Sequence, residues 1–148
     1  MSDRPRLVGI NHIALEVDDL DAALEWYGAI FHFELRGRVP GMAFLEMGDQ
    51  FIAVAEVGGS RPADGERHFG LVVDSIELAR AALQSAGAQV LRGRGLDFRD
   101  PWGNHVQVVE YSEIQFAKTN GALAALGLDG LEKSEAARRE MREKGLDG

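Results

Sequence analysis

The chain repeats itself. Asn11-His12-Ile13-Ala14-Leu15-Glu16-Val17-Asp18-Asp19-Leu20 returns as Arg67-His68-Phe69-Gly70-Leu71-Val72-Val73-Asp74-Ser75-Ile76. Leu35-Arg36-Gly37-Arg38 returns as Leu91-Arg92-Gly93-Arg94. Both echoes lie at one offset, 56 residues (12 to 68). A spacing held across a strand, a helix and a further strand points to two copies of one structural unit. Each copy carries a histidine early in its first strand, so a pseudo-twofold relation would place two imidazoles in equivalent positions.

Within the first copy, residues 7–17 alternate as a strand, with Ile10, His12, Ala14 and Glu16 on one face and Val8, Ile13, Leu15 and Val17 on the other. Asp18 or Asp19 caps a helix over about 20–31, whose Leu20, Ala23, Leu24, Tyr27 and Phe31 form one stripe. Strand-like segments at about 33–39, 42–47 and 50–57 follow, separated by Pro40-Gly41 and Gly48-Asp49. The second copy keeps the order: a strand at 67–74, a helix at about 76–86 capped by Ser75 and ended at Gly87, then strands near 89–94, 96–99 and 104–111. The order is βαβββ, twice. Residues 1–57 and 67–111 read as the two modules, 58–66 as a polar Gly/Pro linker, and 112–148 as a helical extension. In that extension Asp129-Gly130-Leu131-Glu132 reads as a capping box, and 134–144 as a charged helix ended by Gly145.

Composition narrows the partners. Acidic residues outnumber basic ones, 24 to 16, for a formal charge of −8. That balance excludes sequence-independent nucleic-acid binding, which requires basic surface. With no cysteine, thiolate metal sites, disulfides and thiol nucleophiles are out. No apolar run approaches the ~20 residues of a membrane span, and the first residues lack the apolar stretch of a secretory signal. A cytoplasmic location is the expectation.

The doubled βαβββ order, Asn11-His12-Ile13-Ala14-Leu15 followed by Val17-Asp18-Asp19-Leu20 and Trp26-Tyr27, and the turn Asp100-Pro101-Trp102-Gly103-Asn104 before the last strand resemble the vicinal-oxygen-chelate superfamily. Its members include glyoxalase I, fosfomycin-resistance thiol transferases, extradiol dioxygenases and bleomycin-resistance proteins. The resemblance covers about residues 7–111. It implies an α+β fold: two tandem βαβββ modules forming a U-shaped mixed sheet around a cavity, packed edge to edge with the helices outside. It also implies a divalent metal (Zn, Mn, Ni or Fe) that binds adjacent substrate oxygens and stabilises an oxyanion. His12 and His68 fall on the two modules' histidine ligand positions, and Gln107 on the position of the final-strand Glu. Gln107 offers a neutral oxygen where a carboxylate would bind more tightly. The fourth-strand Glu of glyoxalase I falls near Ile52 or Ala53, both apolar, so glyoxalase I activity is not expected.

Strand parity places His105 and Val109 on the face of Gln107, with His105 a candidate base. Glu46, sharing its face with Phe44, and Glu56 at the end of the fourth strand are further candidate bases. Phe44, Phe51 and Val109 are candidate substrate contacts. Glu110 has the opposite parity and points to the helix side or to solvent. Two readings stay open. One is a metal-dependent lyase, isomerase, transferase or dioxygenase acting on a small oxygenated substrate. The other is a metal-free protein that sequesters a small molecule, as bleomycin-resistance proteins do. In either, a homodimer with cavities shared between protomers is expected, and no nucleic acid or membrane.

Overall fold

The structure is a computed structural model that describes Arg4 and residues 10–59, 61–93 and 95–146. The start of the expected first strand (residues 7–9), Ser60 of the linker and Arg94 of the second echo lie outside the described residues. The first module runs β1 (His12–Val17), α1 (Leu20–Ile30), β2 (Leu35–Val39), β3 (Met42–Glu46) and β4 (Phe51–Glu56). The second runs β5 (Phe69–Val73), α2 (Ile76–Ser85), β6 (Gln89–Leu91), β7 (Leu96–Arg99) and β8 (His105–Glu110). Two more helices follow, α3 (Asn120–Ala125) and α4 (Glu135–Glu143).

The modules have the same strand order, β1-β4-β3-β2 and β5-β8-β7-β6. In each sheet the first strand pairs parallel to the last and the other pairings are antiparallel. The expected α+β class and doubled βαβββ order are both present. Caps explain where the helices begin. Asp19 Oδ1 accepts from Ala22 N at 2.9 Å, and Ser75 Oγ from Leu78 N at 3.3 Å. Such caps contribute about 1 kcal/mol each. Gly87, at φ +65°, ends α2 in the left-handed conformation expected there.

Each module adds a second cap that the sequence reading did not foresee. The Glu56 carboxylate accepts from Leu20 N at 2.8 Å, and that of Glu110 from Ile76 N at 3.0 Å. A carboxylate at the end of the last strand thus meets the orphan amides of its own module's helix, where the helix dipole favours negative charge. Glu110 points to the helix side, as its parity requires.

Packing of the modules departs from the expectation. Among the described residues the two sheets share no hydrogen-bonded strand pair. One core instead joins the helix-facing sides of both, including Leu15, Leu45 and Val54 from the first sheet and Leu96, Phe98 and Val106 from the second. Helix α1 packs into this core against both sheets through one side, while Asp21, Ala22, Glu25, Gly28 and Ala29 on its other side stay exposed. Its Trp26 and Phe31 rings pack on Phe98 of β7, with centroids 5.8 and 6.2 Å away. The reason is visible in its composition: Leu20, Ala23, Tyr27 and Ile30 are buried, and Trp26 and Phe31 widen the apolar surface beyond what one sheet can cover. Burying each large side chain contributes about 1.5–3 kcal/mol.

The extension also differs in detail. No helix starts at Asp129; α4 is capped by Ser134, whose Oγ accepts from Ala137 N at 3.2 Å. The shorter α3, capped by Thr119, was not anticipated. Lys133 anchors this segment by donating to the carbonyls of Tyr111, Ile114 and Phe116.

Candidate functional site

Each sheet turns one face to the common core and leaves the other open. On the open face of the first sheet, register aligns His12 with Phe51 and Glu46, and Ala14 with Ala53 and Phe44. The His12 ring stacks on Phe51 (4.7 Å between centroids, 9° between planes), and Phe44 meets Phe51 edge-on at 5.8 Å. The Arg36 guanidinium lies over the Phe51 ring at 4.9 Å. Glu46 stays on this face, its Oε1 accepting from Gly48 N at 3.1 Å. Glu56 does not: it shares the core-facing parity of Val54, and its carboxylate is taken by the α1 amide. The expectation that it serves as a base at the cavity mouth is corrected on that ground.

The open face of the second sheet carries the other candidates. Asp97, Gln107 and Gly70 are aligned across β7, β8 and β5, and Arg99 lies opposite His105. Val109 pairs with Val72 on the same face. Gly70 has open space where a Cβ would project, so nothing crowds the β5 side of Gln107. The rings of His68 and His105 lie 4.9 Å apart.

The hydrogen bonds of the histidines divide their roles. His105 Nδ1 donates to the Gly65 carbonyl at 2.8 Å, and its Nε2 bonds Asp97 Oδ2 at 2.7 Å. With both nitrogens engaged, this ring is fixed against its neighbours. His12 Nδ1 bonds Asn11 Oδ1 at 2.8 Å, and His68 Nδ1 bonds the Glu66 carbonyl at 2.8 Å. Donation from Nδ1 to an oxygen fixes the tautomer that leaves the Nε2 lone pair free. Metal-ligating histidines are held by the same kind of outer contact. Sequence reasoning missed Asp97; its parity with Gln107 across a short antiparallel pair was the available signal.

In one chain these residues do not form a single cluster. No group of three His, Cys, Asp or Glu side chains able to hold a metal occurs among the described residues. His12 borders a cavity of about 290 Å³ whose lining includes neither His68 nor Gln107.

The Asp-Pro-Trp-Gly-Asn turn holds the modules together. The carboxylate of Asp100, a residue 5% exposed, accepts four hydrogen bonds: from Tyr27 OH, Trp102 N, Asn104 N and Asn104 Nδ2, all at 2.8–2.9 Å. Asn104 also donates to the Glu16 carbonyl at 2.9 Å, which ties β8 to the end of β1. Burial foremost, and then the Asp100 carboxylate, push the Tyr27 hydroxyl well above its ordinary value. Gly103 (φ +86°) passes so close to the linker that a Cβ would lie 2.8 Å from Ala63 Cα.

The family model for the Glyoxalase/Bleomycin resistance protein/Dioxygenase superfamily matches residues 9–108. The chain belongs to that superfamily. Comparison with curated proteins gives no match. Similar solved structures include the fosfomycin resistance protein FosX from Listeria monocytogenes, 17% identical with a TM-score of 0.60, covering 70% of this chain and 91% of that one. A lactoylglutathione lyase from Agrobacterium tumefaciens is 23% identical with a TM-score of 0.58, covering 72% and 96%. An integron cassette protein from the V. cholerae mobile metagenome is 20% identical at 0.58, covering 74% and 99%. At these identities the likeness shows the fold alone. No helix among the described residues is long and apolar enough to cross a membrane.

Proposed function

We propose that the protein is a divalent-metal-dependent enzyme acting on a small oxygenated substrate, in a site shared by two protomers of a homodimer. The observation that carries this reading is the matched state of His12 and His68. Each stands at the head of its module, on an open sheet face, with Nδ1 anchored on oxygen and Nε2 without a partner among the described residues. His12 of one protomer would join His68 and Gln107 of the other, with Asp97 beside the Gln107 amide. Two imidazoles and an amide oxygen suit Zn²⁺, Mn²⁺, Ni²⁺ or Fe²⁺. When bound, such an ion acts as a Lewis acid on substrate oxygens. Phe44, Phe51 and Val109 supply apolar walls for the substrate. Of the candidate bases, Glu46 stays on the His12 face and would move the proton.

Metal analysis of the purified protein tests this. Near-stoichiometric metal, lost in His12→Ala and in His68→Ala, is the expected result, with a dimer by light scattering. Gln107→Glu adds a charge at nearly constant shape and should tighten the metal about tenfold or more. A protein that stays metal-free after reconstitution with each of the four ions refutes the reading. The Arg36–Phe51–His12 stack favours one second reading, a binder of flat ligands that needs no metal, and that result would support it.

A further inference from the structure

The cavity beside His12 has a wall that the superfamily match does not include. The match ends at residue 108, whereas Phe116, Lys118, Leu123, Leu126, Leu128 and Leu131 of the extension close the cavity against β1, β4 and β5. From the sheets come Ile13, Ile52, Leu71 and Val73. The volume, about 290 Å³, lies at the small end of the range for ligand sites.

Among the described lining residues, Lys118 is the one lysine or arginine. The Lys118 side chain is only 9% exposed, and its ammonium pairs with Asp49, a residue 67% exposed on the far side. The ammonium also lies 5.8 Å above the centre of the Phe116 ring. Beside it, Lys118 holds the Asp49 carboxyl below the usual carboxylate range. The remaining polar side chains offer less to a ligand. Gln50 Nε2 is spent on the Ile10 carbonyl, His12 Nδ1 on Asn11, and Asp74 repels a second acid.

We propose that this cavity is a second binding site, for a small monocarboxylate with an apolar body. The apolar walls bury the body, and Lys118 receives the carboxylate in place of, or together with, Asp49. A cationic ligand would meet Lys118 with like charge. A dianion would lose its hydration against walls that provide a single cation. The site does not require the metal described above, since only His12 and Phe51 of its lining belong to that reading and Lys118 and the extension do not.

Calorimetry and methyl NMR in the presence of EDTA test it, with octanoate, 1-octanol and octyltrimethylammonium as probes on the full chain. Octanoate should bind saturably, about tenfold tighter than octanol, as expected for one charge-assisted contact. It should shift the methyl signals of Leu123, Leu126 and Leu128, and the cation should not bind. Asp49→Asn, a change at an exposed residue, should tighten octanoate and leave octanol unchanged. Lys118→Met should make acid and alcohol equal. The proposal is overturned by no saturable octanoate binding, by equal affinity for acid and alcohol in the unmodified protein, or by shifts confined to methyls away from the extension. Because chelator is present throughout, a protein that binds no metal can still bind octanoate, and the two readings fail separately.

Discussion

Replacing Asp100 by alanine removes at once all four hydrogen bonds that its carboxylate accepts. The donors left behind differ in what they can do next. Trp102 is half-buried, so water can reach its N–H, and the Asn104 amide keeps the Glu16 carbonyl. The Tyr27 hydroxyl and the Asn104 backbone N–H belong to residues only 2% and 3% exposed. Each stranded buried donor costs about 1–3 kcal/mol. The expected loss is therefore about 2–6 kcal/mol, a large part of the roughly 5–15 kcal/mol that holds a domain folded. Tyr27→Phe alone should cost only about 1 kcal/mol, since Asp100 keeps three donors. In the Asp100→Ala background the same change removes a stranded hydroxyl and should restore stability, giving a coupling of about 1 kcal/mol or more. Urea unfolding followed by circular dichroism measures all four proteins of the cycle. An Asp100→Ala loss below about 1 kcal/mol at unchanged m, or a cycle without coupling, refutes the account of the turn as the clasp between modules.

Three further outcomes follow from the same contacts. The folded state favours the neutral Tyr27 phenol, so the unfolded chain loses its proton first; this contribution is complete below about pH 10 and is lost as pH rises toward the higher folded value. Tyr27→Phe should flatten that alkaline loss in pH-dependent urea melts. Gly103→Ala combines a left-handed backbone with a 2.8 Å approach to Ala63 and should lower stability by about 2–4 kcal/mol in the same assay, where a neutral change would show that the linker is not seated there. Lys133→Met should leave the two modules folded but raise hydrogen exchange across residues 111–116, whose carbonyls it no longer holds.

Much of the fold was legible because the repeat fixes element order: a strand, a capped helix and three strands, read twice at one offset. What the sequence did not reveal is how the modules meet. Strand parity shows which residues share a face of one sheet, and His105, Gln107 and Val109 do share one. It contains nothing about which face of α1 reaches across to another sheet, a choice made by the combined bulk of Trp26, Tyr27 and Phe31 against Phe98. Glu56 was misread for a related reason. A carboxylate at a strand end is free to act as a base only if no helix terminus lies within reach, and Leu20 N does. The short α3 escaped because six residues with one buried leucine carry too little periodicity to register.

The clasp and the candidate site are physically linked. Asn104 directly precedes His105, and its side chain donates to the Glu16 carbonyl near the end of the strand that His12 begins. A shift of this residue therefore moves β8, with Gln107, relative to β1. Within one chain the two imidazoles lie on different sheets, and the Asp100–Asn104 node, the linker seated against it, the shared core and the extension fix how those sheets are set. A metal shared by two protomers would use each chain twice, through His12 in one site and through His68 and Gln107 in the other. An error in the angle between modules would then enter both sites at once. Rigid coupling of the modules is what such a site needs, and a buried aspartate with four donors supplies it more firmly than apolar packing, which tolerates sliding.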